Sequence, residues 1–399
     1  MVNLAPIRIL ALLLSGTGLF LSAWIVVPAP ILPLLPLGVG APEISPWLLG
    51  LNLLAVGVSW VGIRSSWLHR LALGASLIAL TLSILPLAQL PATEQRMNTA
   101  MQDALGANYL SKIPNEAQIR MRPQPFSLAD TFTGIHPPQV RHTADIQFAA
   151  PDGVPLKMNI YQPPQVGKYP ALVVIYGGAW QKGNPKLYDT LSRYMAAQGY
   201  SVFAIDYRHA PSYRYPAQLE DVQAALAFIR EHATEYEADA ERMALLGGSS
   251  GAHLGMLAAY QPSAVPVRAV VNYFGPVNLA NGYANPPRPD PLNIRAILES
   301  FLGGSPEKVP QLYRAASPIT YATQTQPPTL LVYASRDHVI KAQYGRQMYE
   351  RLREAGNTAI FLEIPWAEHA FNVIFHGPSN QLTLYYTERF LAWALRETP

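Results

Sequence analysis

The chain has 399 residues, half of them hydrophobic, a formal net charge of +3 and no cysteine. The missing cysteine excludes a disulfide framework, a thiolate metal site and a cysteine nucleophile. With no Lys/Arg run the small charge gives nucleic-acid phosphates nothing to bind, so nucleic acid is excluded as a partner. The length fits one large α/β domain plus an added module.

Between Met1 and Thr93 the only Asp, Glu, Lys or Arg side chains are Arg8, Glu43, Arg64 and Arg70. Residues 9–27, 46–63 and 71–90 are charge-free runs of mostly Leu, Ile, Val and Ala, each about long enough to cross roughly 30 Å of hydrocarbon as a helix. Buried globular helices ordinarily carry a polar stripe that these runs lack. Residues 1–91 are therefore expected to form a membrane domain of about three transmembrane helices, with the bilayer as partner. Pro28, Pro30, Pro33 and Pro36 interrupt the chain between the first two runs, where missing N–H groups and ring clashes predict a turn or a re-entrant loop. Residues 9–27 also fit a cleaved signal peptide. Arg8 flanks the first run, and Arg64 and Arg70 sit between the second and third, so both places are expected to be cytoplasmic. Everything past about Pro91 then lies outside the cytoplasm, whether or not the first run is removed.

Residues 92–140 read as a linker. Met97, Met101, Leu105 and Leu110 share one helical face beside an amide-rich and acidic one, which predicts a short amphipathic helix. It fits the membrane surface, the following domain or, most plainly, a solvated connector. Pro123, Pro125, Pro137 and Pro138 punctuate the rest.

Residues 141–399 alternate strand-like and helix-like patterns. Apolar runs at 171–176, 202–205, 243–246, 268–273 and 329–334 suit buried parallel strands. Helical patterns lie at about 186–199, 215–233, 251–260, 341–356 and 380–396. The alternation predicts an α/β fold with a mostly parallel, doubly wound sheet. Pro-Asp-Gly at 151–153 joins two earlier segments and predicts an antiparallel hairpin at the sheet edge. The Pro- and Gly-rich insertion at 278–320 is a candidate lid.

MALLGGSSGAHLG leads from a strand through G-x-S-x-G at 247–251 directly into a helix, the setting a nucleophile elbow requires. Flanking glycines let a strained strand-to-helix turn close. Ser249 fits that frame, whereas Ser250, flanked at two residues by Gly248 and Ala252, is positioned to offer a backbone N–H. In this fold the acid and then the histidine follow the serine along the chain. The later aspartates are Asp290, within a Pro-rich insertion, and Asp337, directly after the strand TLLVYA. Asp337 is the candidate acid. Of the following histidines, His338 adjoins that acid and His376 falls further on, whereas His369 follows the strand-like run AIFLEIP. His369 is the candidate base. Glu363 and Glu368 lie too near His369 to serve as its acid, and Glu350 lies within a helix. The run ALVVIY ends in Gly177, Gly178, Ala179 and Trp180, where backbone N–H groups can converge on a developing oxyanion.

YGGAW at 176–180, DYRHAP at 206–211, PAQLED at 216–221, GGSSGAH at 247–253, SRDHV at 335–339 and EHAF at 368–371 together resemble the hormone-sensitive-lipase-like branch of the α/β hydrolases. The resemblance is nearest to its bacterial feruloyl-esterase-like and acetyl-esterase-like members, and it covers about residues 140–399. It implies a serine carboxylesterase without metal or organic cofactor, acting on a small-molecule or lipid-like ester. By the same resemblance Gly178, Ala179 and Ser250 supply the oxyanion-hole N–H groups, while Arg208 and Asp221 brace surrounding loops. His253, on the helix after Ser249, reads as structural, and Trp180 with the insertion is placed to wall the acyl pocket. Two departures stand out: Tyr176 occupies the position where this branch usually has His, and Ala179 replaces the third glycine of many members. An acyl-peptidase or amidase would use the same three residues. A non-catalytic membrane receptor module would be expected to have lost one of them.

Overall fold

The computed structural model describes residues 5–262, 265–323 and 325–397. Runs rich in Val, Ile, Leu and aromatic residues form β1 (Arg141–Ala149), β2 (Leu156–Gln162), β3 (Tyr169–Ile175), β4 (Ser201–Ile205), β5 (Ala238–Gly248), β6 (Ala269–Tyr273), β7 (Thr329–Ala334) and β8 (Ala359–Ile364). They make one eight-stranded sheet in the order β1-β2-β4-β3-β5-β6-β7-β8. β2 pairs antiparallel with β1 and β4, and the remaining pairs are parallel. The edge hairpin turns at Pro151–Gly153, where Asp152 takes φ +51°. β4, β6 and β7 are buried at every residue, because helices cover both faces of the parallel part.

Among the described residues six α-helices precede the sheet: α1 (Ala5–Ala23), α2 (Leu35–Glu43), α3 (Ser45–Val61), α4 (Trp67–Leu105), α5 (Asn115–Arg120) and α6 (Leu128–Thr133). α7 (Asp189–Ala197) and α8 (Ala217–Glu231) lie before and after β4, and α9 (Ser250–Tyr260) follows β5. The insertion folds as α10 (Leu279–Ala284), α11 (Ile294–Leu302) and α12 (Pro310–Ala315). α13 (Ala342–Glu354) links β7 to β8, and α14 (Pro378–Ala394) follows β8.

α1, α3 and α4 pack together with small and polar residues inside. Gly18, Ser22, Asn52, Ala55, Ala79 and Ser83 are buried, and Asn52 Nδ2 donates to Ser22 Oγ at 2.9 Å and to Ser83 Oγ at 3.2 Å. A Cβ on Gly18 would lie 2.1 Å from Asn52 Oδ1, so glycine is what lets α1 approach α3. Leu13, Leu54, Leu71 and Ile78 point outward. This arrangement reverses that of a bundle in water and matches helix packing in lipid.

By length and composition α1 and α4 are each able to cross a membrane, whereas α3, with 17 residues, reaches that length only together with the preceding segment 32–43, from which it is bent by 80°. Of the about three transmembrane helices expected from the sequence, two are long and apolar enough by themselves, and up to three if the bent pair is one span. Pro46, near the start of α3, favours a fresh helix start at this break.

α4 has 39 residues, roughly 58 Å at 1.5 Å per residue and nearly twice the ~30 Å of hydrocarbon. It passes through Pro86 and Pro91, so the boundary expected near residue 91 falls inside one helix. Its second half is no solvated connector. Leu90, Met97, Met101 and Leu105 are buried in the same apolar cluster as Leu172 and Leu362 of the sheet, and Tyr386 Oη donates to Glu94 O at 3.1 Å.

Candidate active site

Ser249 stands between the end of β5 and the start of α9 with φ +53° and ψ −123°. A non-glycine residue held there stores about 1–3 kcal/mol of backbone strain, which the surroundings must over-determine. They do so through close approach. A Cβ on Gly247 would lie 2.5 Å from Ala252 N, and one on Gly251 would lie 2.1 Å from Ile175 O. Ser249 N–H donates to Tyr273 O at 2.8 Å, which fastens the turn to β6.

Because β5, β7 and β8 run parallel, the loops after them emerge at one edge of the sheet. Asp337 follows β7 and His369 follows β8. His369 Nε2 is 3.0 Å from Ser249 Oγ, and His369 Nδ1 is 2.8 Å from Asp337 Oδ2. Asp337 Oδ1 accepts the N–H groups of Val339 at 2.7 Å and Ile340 at 2.6 Å. Burial pushes the Asp337 carboxyl above its ordinary range, while the charge of His369 and its hydrogen bonds oppose that rise.

The other acids are occupied elsewhere. Asp290 accepts the N–H of Ile294 at 3.0 Å, capping α11. Glu363 accepts from Ser335 Oγ at 2.7 Å and from the Arg346 guanidinium. Glu368 is turned towards His338, accepting its backbone N–H at 2.6 Å and pairing with its Nδ1 at 2.5 Å. That hydrogen bond raises the His338 pKa above its ordinary 6.5. His376 contributes a backbone carbonyl to Gln381 Nε2 at 2.9 Å.

The loop after β3 lies directly against the elbow, where a Cβ on Gly177 would come 3.1 Å from that of Ser249. Ala179 and Trp180 both adopt positive φ, at +55° and +59°. Gly178 N–H donates to Ser250 Oγ at 2.9 Å. In the resting site this group ties the loop to α9 and does not point at an open position, unlike the expectation for an oxyanion donor. Ala179 N–H has no protein partner among the described residues. Tyr176 braces the loop in place of the usual histidine: its Oη donates to Asp206 Oδ1 at 2.5 Å and lies 2.8 Å from His209 Nε2, and its ring stacks on Tyr207 at 4.5 Å.

A cavity of about 500 Å³ opens over Ser249, walled by Trp180, Phe274, Leu292, Ile297, Val339 and Val373. Trp180 stacks on Phe301 of α11 with ring centres 4.2 Å apart. Its Nε1–H donates to His253 Nδ1 at 3.2 Å, and His253 Nε2–H donates to Ala316 O at 2.7 Å. Burial holds the His253 pKa down at about 4, so a neutral imidazole joins the elbow helix to the insertion. Arg208 and Asp221 are locked together, with Arg208 N–H on Asp221 Oδ2 at 2.7 Å and the guanidinium also on Asp152 at 2.5 Å. Neither approaches the serine. The contribution of α11 and Val373 to the cavity was not legible residue by residue; the only signal was the insertion's length and position.

Residues 158–352 match the family model BD-FAE. Among curated proteins the chain is similar to three from Mycobacterium tuberculosis. It is 27% identical to Esterase LipQ over 70% of this chain and 70% of the relative. It is 34% identical to Esterase LipC over 51% and 54%, and 30% identical to the probable carboxylic ester hydrolase LipM over 63% and 61%. The chain thus spans between 54% and 70% of the length of these relatives. Among solved structures, a bifunctional GH43-CE protein of Bacteroides eggerthii aligns with 26% identity and a TM-score of 0.54, over 63% of this chain and 38% of the other. A propionate-bound thermophilic esterase of Thermogutta terrifontis aligns with a TM-score of 0.51 over 64% and 92%, and at 22% identity it speaks to the fold alone.

Proposed function

We propose that this chain, an α/β hydrolase of the BD-FAE family over residues 158–352, is a membrane-anchored carboxylic-ester hydrolase that works through an acyl-enzyme on Ser249. The observation that carries the reading is the relay itself: one imidazole has its Nε2 3.0 Å from Ser249 Oγ and its Nδ1 2.8 Å from Asp337. The esterase names of its relatives support the choice of ester substrates, and the apolar helices support the anchor.

With Nδ1–H donating to Asp337, Nε2 of neutral His369 accepts the Ser249 hydroxyl proton as Oγ bonds to the ester carbonyl carbon. The carbonyl oxygen becomes an oxyanion, met by the N–H groups of Ala179 and Ser250, with Gly178 joining if its bond to Ser250 Oγ opens. Each such donor contributes about 10²–10³ in rate. The tetrahedral adduct collapses, the ester C–O bond breaks, and His369 gives its proton to the departing alcohol. Water then attacks the acyl carbon and passes a proton to His369; the acyl C–Oγ bond breaks, His369 returns that proton to Ser249 Oγ, and the carboxylic acid leaves.

Ser249→Ala is expected to lower turnover of a short-chain nitrophenyl ester by about 10⁴-fold or more with unchanged thermal unfolding. Retained turnover in a folded variant would remove Ser249 from the role.

A further inference from the structure

The edge of the sheet that carries Ser249, Asp337 and His369 is also the edge that meets the apolar helices. Arg336, next to the triad acid, donates to the carbonyl of Val26 just beyond α1. Ser379, at the start of α14 after the His369 loop, donates to Glu43 of α2 through its N–H at 3.0 Å and its hydroxyl at 2.5 Å. A Cβ on the neighbouring Gly377 would lie 2.4 Å from Glu43 Oε2, so this contact is close-packed. At the start of α3, Trp47 Nε1–H donates to Thr131 O at 3.3 Å. The turn between α3 and α4 carries Arg64, and Arg70 lies in the first turn of α4, at the far end of the bundle. Past α4 the chain reaches the opposite side of the sheet, where Arg120 donates to Gln198 O just ahead of β4. The helical bundle therefore caps the strand ends that bear the site.

The rim of the cavity on this side is apolar and open. Leu187 and Val373, both on the cavity wall, are 60% and 67% exposed. Leu35 of α2 packs on the cluster that includes Trp180, Ile294 and Val339 of the same wall, and Ile31 and Leu32, ahead of it on the chain, are 54% and 46% exposed. In water such a run would be a liability, whereas at the surface of a bilayer it extends the hydrocarbon up to the cavity.

We infer that the substrate is an ester dissolved in the bilayer, which enters the cavity sideways from the leaflet on which the catalytic domain stands, its acyl chain sliding over Ile31 and Leu32 to reach Ser249. This deepens the esterase reading and rests on it. Transfer from lipid to an apolar cavity avoids passage through water, which costs about 0.8 kcal/mol for each CH₂ exposed.

The test uses the full chain reconstituted in phosphatidylcholine vesicles, with dioleoylglycerol placed either in the same vesicles or in separate ones. Water-soluble nitrophenyl butyrate serves as the control. Shared vesicles are expected to give hydrolysis at least about tenfold faster than separate vesicles, because sharing the bilayer raises the effective concentration. Ile31→Asp with Leu32→Asp is expected to lower the shared-vesicle rate severalfold and to leave butyrate turnover per fluorophosphonate-reactive Ser249 unchanged. Equal rates in the two formats, or no dioleoylglycerol hydrolysis alongside normal butyrate turnover, overturns entry from the bilayer and leaves the esterase reading standing. Loss of butyrate turnover in the unmodified protein sinks both.

Discussion

Glu368 and His338 adjoin His369 and Asp337 in sequence, yet they pair with each other across the two loops instead of joining the relay. The pair clamps the acid loop to the base loop from outside. Because the His338 pKa is raised in the folded protein, first by the Glu368 hydrogen bond, the clamp's stabilisation is fully present below the ordinary 6.5. It is lost as pH rises through the raised value. Replacing His338 with Gln is expected to flatten the fall in unfolding temperature between about pH 6 and pH 9; an unaltered slope contradicts the clamp. At this scale the meeting of Ser249, Asp337 and His369 was legible because fold order and strand-end position leave few candidates. The Tyr176–Asp206–His209 brace was not, since it forms between the ends of β3 and β4 and no local pattern encodes such a meeting. The engagement of Gly178 N–H by a serine hydroxyl was equally hidden, because it depends on the approach of two loops far apart in the chain.

At the scale of elements, α4 couples the apolar bundle to the catalytic domain as one rod. Its periodic face, Met97, Met101 and Leu105, was readable in the sequence, but the surface it covers was not, because a connector and a docked helix share one pattern. The end of the charge-free run at residue 90 and the amide-rich, acidic pattern after it read as a boundary, whereas tertiary burial on both sides keeps the helix continuous. Met101 is completely buried, so Met101→Ala is expected to cost about 2–5 kcal/mol of catalytic-domain stability in denaturant titration. A cost near zero would mean that the second half of α4 is not docked in solution. The strands were the most legible elements. β5 starts at Ala238, earlier than its apolar run, because the polar residues ahead of Met243 continue the pairing with β3 at Tyr169 and Pro170.

At the scale of the whole molecule, Arg8 of α1, Arg64 of the α3–α4 turn and Arg70 at the start of α4 lie at one end of the bundle and the catalytic domain at the other, the arrangement that the distribution of arginines favours for a domain outside the cytoplasm. The chain has no cysteine, so a single introduced thiol reports its side of the membrane. In intact cells an impermeant maleimide is expected to label Lys168→Cys and to spare Ser65→Cys until lysis; the reverse pattern would invert the orientation. The capping of the active edge by the bundle was beyond sequence reading, since it rests on contacts such as Glu43 with Ser379 across more than three hundred residues. The most direct test of the account is to treat membranes holding the full chain with a fluorophosphonate and to map the modified residue by peptide mass spectrometry. The adduct is expected on Ser249 alone, and an adduct on Ser250 or on any other residue, with Ser249 unmodified, would contradict the relay from which the function is derived.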